Sequence, residues 1–178
     1  MRPVQFNSTK LNIILAFKGL ASSKSIERIT VGQIVEAAGI SKQTFYKYFK
    51  DKFDVAQGFF LWDHASHVNE NDGFIKRQMD HLTMLEENQS VYKSIMRNSY
   101  LSDSFMNRRF EYILDDLINK IGAYNINEET MLELRVILTG TEKLFEYWVM
   151  DGCRIKKETI VNVFINVIPD NLKKMMDI

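Results

Sequence analysis

Lys42, Gln43, Thr44, Tyr46, Lys47 and Tyr48 gather ammonium, amide and hydroxyl groups into seven consecutive residues, and Lys52 follows shortly after. Such groups recognise; they do not break bonds. A glutamine amide both donates and accepts, which matches adenine in a major groove, and a lysine reaches guanine or a phosphate. A threonine meets a thymine methyl or a phosphate. The residues that could do bond-breaking chemistry lack partners. Ser41 has no base that the sequence supports, Cys153 is the lone cysteine, and no glycine-rich phosphate loop is present. His64 and His67 stand three apart and could share a helix face with Asp63 or Glu70 near a metal, but the spacing is not that of a zinc motif. The expectation is surface histidines, no metal, no cofactor and no enzyme.

The recognition groups need an element to present them. Thr30 is placed to cap a helix in which Val31, Ile34, Val35 and Ala38 recur at helical spacing. Gly39 ends that helix where a left-handed residue costs little, and Ser41 caps the next. Phe45 and Phe49, four apart, form the buried side and leave Lys42, Gln43, Thr44 and Lys47 outside. This is the build of a helix-turn-helix, whose second helix enters a major groove. Thr30 could also hold a phosphate through its hydroxyl and the neighbouring helix amides.

Charge divides the chain in the same place. Net charge is zero, yet residues 1–52 carry nine Lys/Arg against three Asp/Glu, and residues 53–178 carry fourteen against twenty. The basic part attracts phosphate and the acidic part does not. An apolar share of 46% supports a true core, and nothing approaches 18 consecutive apolar residues. With no membrane span, no secretory signal pattern and one cysteine, the expected compartment is the cytoplasm.

The remaining pattern is helical almost throughout. A first helix is predicted from Ser8 or Thr9 to Ala21, with Ile13, Ala16, Phe17 and Leu20 on one face. A fourth starts at Phe53 and reaches about His64. Further helices are expected around Phe74–Leu85, Val91–Met96, from about Asp103 through Ile121, over about 128–151, and over about 157–168, where Pro169 ends the last. The fold class is all-α, a three-helix DNA-binding unit over 1–52 joined to a helical regulatory and dimerisation domain over 53–178.

Ile29-Thr30-Val31, Ile34, Ala37-Ala38-Gly39-Ile40-Ser41, Thr44-Phe45-Tyr46, Tyr48-Phe49 and Asp51-Lys52, together with Ala16-Phe17, resemble the TetR family of bacterial transcription regulators over about residues 9–60. The run from Gln43 to Asp54 is also similar to the branch of dihydroxyacetone kinase regulators. Two departures are Gln43, where the family often has glycine, and Ser22-Ser23-Lys24-Ser25, where many members have a glycine after the first helix. The resemblance implies that Tyr46 contacts phosphate and that Lys52 positions the DNA backbone, with Lys47 and Tyr48 flanking.

It also implies a homodimer on double-stranded operator DNA, acting most often as a repressor, with activators in the suggested branch, under a small-molecule effector or a regulatory protein. The alternative is a constitutive helical interaction or structural dimer without operator recognition. Leu134, Leu138, Leu144, Phe145, Trp148, Ile160, Val161 and Phe164 are candidates for either core or dimer interface. Met79, Met84, Met96, Met106, Phe74, Phe110, Tyr92, Tyr112, Tyr147 and Trp148 could wall an effector pocket, with His81, Asn98, Glu111 and Arg135 orienting a polar ligand. The effector itself is not identified by the sequence.

Overall fold

Ten α-helices and two short 3₁₀ turns make up the described part of a computed structural model, which covers residues 7–98, 110–111, 113–176 and 178. The helices are α1 (Ser8–Ala21), α2 (Val31–Ala38), α3 (Lys42–Tyr48), α4 (Lys52–His67), α5 (Phe74–Glu87), α6 (Gln89–Met96), α7 (113–121), α8 (Glu128–Met150), α9 (Lys157–Val167) and α10 (Asp170–Met176). No helix among the described residues is long and apolar enough to cross a membrane.

Local chemistry sets most of the boundaries. Asn7, Ser41, Asp51 and Asn127 each accept a backbone N–H from the first turn of the helix that follows, which satisfies donors with no partner inside the helix. Asp51 therefore makes α4 begin one residue before the predicted Phe53, and the helix runs on to His67. The predicted helix from Asp103 is seen as α7, while Met106 and Tyr112 lie outside the described residues. Pro169 ends α9 but does not end the helical chain. A proline costs nothing where a helix starts, its carbonyl accepts from Lys173 N at 2.9 Å, and fully buried Leu172 anchors the extra helix α10.

One apolar cluster runs across the expected division at residue 52. It joins Ile13, Ile14 and Phe17 of α1 to Phe45, Phe49, Phe59, Tyr92, Trp148 and Val161. The face of α1 turned inward is Ile13, Ile14, Phe17 and Ala21, while Ala16 and Leu20 sit at its margin. Gly58 lets α4 approach closely, since a Cβ there would lie 2.8 Å from the Phe49 ring. A second cluster of Phe74, Leu114, Leu117, Leu134, Leu138, Phe164 and Leu172 fills the far end. Leu134, Leu138, Phe145, Trp148, Ile160, Val161 and Phe164 thus belong to the core, and Leu144 packs against it.

Candidate nucleic-acid interface

α2 and α3 meet at a turn capped on both sides. Thr30 Oγ1 accepts from Gln33 N at 3.2 Å while Gln33 Oε1 accepts from Thr30 N at 3.1 Å, a reciprocal cap. Gly39 takes a left-handed φ of 63° and its N–H bonds Glu36 O at 3.1 Å. Asn12 Nδ2 donates to Ala38 O at 2.7 Å, so α1 completes the end of α2. Ser41 Oγ accepts from Thr44 N at 3.1 Å and lies 3.0 Å from Thr44 Oγ1.

α3 is fixed by its buried ridge. Phe45 and Phe49 are buried with ring centroids 6.1 Å apart, and the Tyr46 ring packs edge-on against Phe45 at 5.3 Å. At about 100° per residue, Gln43 and Lys47 stand opposite that ridge, Tyr46 lies on one flank, and Thr44 and Tyr48 on the other. Burial follows this geometry, with Gln43, Tyr46 and Lys47 exposed and Thr44 and Tyr48 half-buried, while Lys42 is exposed as the first residue of α3. No side-chain hydrogen bond or ion pair holds Lys42, Gln43 or Lys47 among the described residues. The outward face of α3 therefore offers two lysines, an amide and a phenol that is 59% exposed.

Thr30 is exposed beside this face with its hydroxyl proton still available to donate. Lys52 is less free. Its Nζ donates to Glu27 O at 3.0 Å and Ile29 O at 2.9 Å, and lies over the Phe53 ring. Those bonds pin the corner before Thr30 to the start of α4. Glu27 strengthens the corner: it accepts from Ser25 Oγ and, at 3.0 Å, from Asn98 Nδ2, and both bonds hold its carboxyl below the usual range. Ser94 Oγ adds a bond to Lys24 O at 2.9 Å, so the end of α6 is tied directly to the loop that leads into the reader.

Asp63, only 1% exposed, joins α4 to the α5–α6 corner. Asn88 Nδ2 donates to both of its carboxylate oxygens at 3.0 Å and Tyr92 OH donates to Oδ2 at 2.7 Å. Burial raises the Asp63 carboxyl above its ordinary range, with the Tyr92 bond and nearby positive charge opposing that shift. His67 Nδ1 lies 2.8 Å from the Asp63 carbonyl and Nε2 lies 3.1 Å from Glu87 Oε2. Both ring nitrogens face acceptors. Desolvation draws the His67 pKa down, but these bonds and the two carboxylates outweigh it, and the net shift is upward.

His64 and His67 are both half-buried, and His67 is taken up by Asp63 and Glu87. His64 stacks near Phe60 and His81, each with ring centroids 5.9 Å away. No group of three metal-binding side chains occurs among the described residues. Of the suggested pocket groups, Met84, Tyr92 and Trp148 are core, Tyr147 is exposed, Asn98 serves Glu27, and Arg135 covers the Phe110 ring. Glu111 is exposed and only half-buried Met79 and Met96 border the main core. His81 alone of the four polar candidates lines a cleft. The positioning side chains Asn12, Glu27, Asp63, Asn88 and Asn98 carry no local sequence signal, because each acts through a partner distant in the chain.

The sequence model described as "Bacterial regulatory proteins, tetR family" matches residues 13–57. The HTH-type dhaKLM operon transcriptional activator DhaS of Lactococcus lactis subsp. lactis is 32% identical over 113 residues. That match covers 62% of this chain and 60% of the relative, so the similarity spans well under two thirds of its length. Among solved structures, the dihydroxyacetone kinase operon activator DhaS superposes with a TM-score of 0.71 at 24% identity, covering 96% of this chain and 97% of the other. The fatty acid degradation regulator FadR from Bacillus halodurans gives 0.62 at 18% identity, over 92% and 96%.

Proposed function

Because this chain belongs to the TetR family of bacterial regulatory proteins, we propose that it is a sequence-specific DNA-binding transcriptional regulator of the cytoplasm, without catalytic activity. The observation that carries this reading is the outward face of α3, where exposed Gln43 and Lys47 stand opposite the Phe45–Phe49 ridge with no hydrogen-bond or ion-pair partner among the described residues. Gln43 reads adenine, Lys42 and Lys47 reach guanine or phosphate, and Thr44 meets a thymine methyl or phosphate. Thr30, Tyr46 and Tyr48 contact the backbone. Lys52 holds the Ile29 corner with two donors and turns its third N–H towards a phosphate. Residues 1–52 are the reading unit and residues 53–178 the regulatory and dimerising part, with α4 as the joint.

Two copies present two readers to palindromic half-sites about one helical turn, roughly 34–36 Å, apart. The dimer surface is a stripe on α8 and α9 that the fold leaves uncovered: Leu132, Val136, Tyr147, Val163 and Val167 are all exposed apolar residues. A small-molecule effector or a regulatory protein acts on the acidic part. A regulator of this build represses where its operator overlaps a promoter. The relative from Lactococcus lactis is named a transcriptional activator, which favours activation as the second reading.

Selection of bound duplexes from a random pool tests the proposal. It is upheld by a palindromic consensus bound far more tightly than random duplex at physiological salt. Recovery of no consensus, with equal affinity for all duplexes, favours a constitutive interaction protein instead.

A further inference from the structure

The corner between α1 and α2 carries Ser22-Ser23-Lys24-Ser25 where many family members have a glycine, and it is held from two directions. Ile26 and Ile29 bury their side chains fully beneath it. From α4, Lys52 Nζ donates to Glu27 O and Ile29 O. From α6, Ser94 Oγ donates to Lys24 O at 2.9 Å and Asn98 Nδ2 to Glu27 Oε1 at 3.0 Å. Ser25 Oγ donates to the other oxygen of the same carboxylate. Ser94 and Asn98 stand four apart on one face at the end of α6, and Ser94 is only 5% exposed. The Lys52 bonds tie the reader to the helix that continues it. The α6 bonds tie it to the acidic part, 70 and 71 residues further along the chain.

Apolar contact across this joint is non-directional, so the shared core resists separation more than sliding. Hydrogen bonds are directional and short in range. The two α6 bonds, at 2.9 and 3.0 Å, are lost once their atoms pass about 3.5 Å, a shift of roughly half an ångström. Operator spacing works on a coarser scale. Changing the separation of two half-sites by one base pair, about 3.4 Å, needs each of two symmetric readers to move by about 1.7 Å. Movement of that size breaks both α6 bonds in each protomer. The tolerance of the joint is about a third of the displacement that one base pair demands.

We propose that Ser94, Asn98 and Glu27 are positioning residues that set how strictly the dimer discriminates half-site spacing. They touch no base and no phosphate, and act through the corner that leads into Thr30. This rests on the reading of the chain as a dimeric DNA-binding regulator. A single half-site does not sense these bonds, so their role shows only where two readers must land together.

The experiment varies spacing alone. The palindrome selected by the full-length protein is remade with its half-sites one or two base pairs closer or further apart, beside a duplex holding one half-site. Wild type should bind its own spacing best and lose affinity on either side. The double variant Ser94→Ala, Asn98→Ala removes both bonds from α6 and only two small polar groups. It should cut the preference for the native spacing by about tenfold, while affinity for the single half-site stays within about twofold. Glu27→Gln is the conservative control: its amide still accepts from Asn98 and can donate to Ser25 Oγ, so its spacing curve should match wild type. Asn98→Ala alone should show the same trend at smaller size, which covers the case in which the double variant does not fold. A folded variant lacking the α6 bonds whose spacing curve equals that of wild type overturns the proposal. So does an equal loss at every spacing and on the single half-site, which would make the bonds supports of the fold alone. A wild-type chain that selects no operator fails as a regulator; one that selects an operator and accepts every spacing equally fails only here.

Discussion

Lys52 Nζ lies 2.9 Å from the carbonyl oxygen of Ile29, and this bond crosses from the start of α4 to the residue that precedes the Thr30 cap. The first turn of α4 thereby fixes the corner from which the reader unit is hung. A second bond, to Glu27 O, shares the load.

Lys52→Met is therefore expected to have two separable effects. Loss of two charge-assisted bonds at a half-buried site lowers stability by about 1–3 kcal/mol, read from denaturant midpoints. Loss of one phosphate contact weakens specific and random duplex alike and reduces the salt slope of binding by about 0.9. A slope identical to wild type would assign Lys52 to the corner alone.

Gln43 is exposed and its side chain makes no hydrogen bond among the described residues, so the stability change of Gln43→Ala stays within about 0.5 kcal/mol. Its effect falls on readout: discrimination at one operator position drops by roughly 1–3 kcal/mol, while affinity for random duplex is retained. Competition binding against a set of single-base operator variants measures this. Equal loss on every sequence would place Gln43 among the phosphate contacts.

The reader was legible because its instructions are local. Thr30, Gly39, Ser41 and the Phe45–Phe49 pair each act within four residues, and the observed caps and burial follow them. The acidic part was legible only as helices. On α8, Leu134 and Leu138 are core while Leu132 and Val136 are exposed, and all four are equally apolar in sequence. Asp63 finds Asn88 25 residues away and Arg77 finds Asp116 39 residues away, pairings that no local pattern announces. Helix α10 carries no distinct signal, because Pro169 marks the end of one helix as readily as the start of the next.

Gly39→Ala tests the local instruction directly. A Cβ at Gly39 meets nothing within 4 Å, so any cost comes from the φ of 63° alone. The expected destabilisation is about 1–2 kcal/mol, seen as a shift in denaturant midpoint with unchanged slope. A neutral result would mean that the turn relaxes to another conformation.

Stability is expected to fall as pH rises above about 6.5. His67 has a raised pKa in the folded protein, so the folded state binds more protons than the unfolded state across this window. Its contribution is complete below the unfolded value and is lost as pH climbs through the folded one. His67→Gln should flatten the profile of melting temperature against pH over that range. An unaltered slope would show that another group, and not the contact with Asp63 and Glu87, sets it.

The stripe on α8 gives the last prediction. Leu132, Val136 and Tyr147 fall within a narrow arc of the helix, and Val136 is 72% exposed despite its apolar side chain. Gly140 lies on the same arc with open space above it, so a second helix could approach closely there. Lys143 on this arc is already paired with Glu146 at 2.7 Å. Light scattering of the wild-type chain at micromolar concentration should give twice the 20.9 kDa chain mass. Val136→Glu places a carboxylate at the centre of the stripe and exposes no core, so it should yield a folded monomer with an unchanged helical signal. That monomer should bind a single half-site weakly and lose the preference for paired half-sites. A wild-type chain that stays monomeric both alone and on paired half-sites would remove the dimer from the proposal.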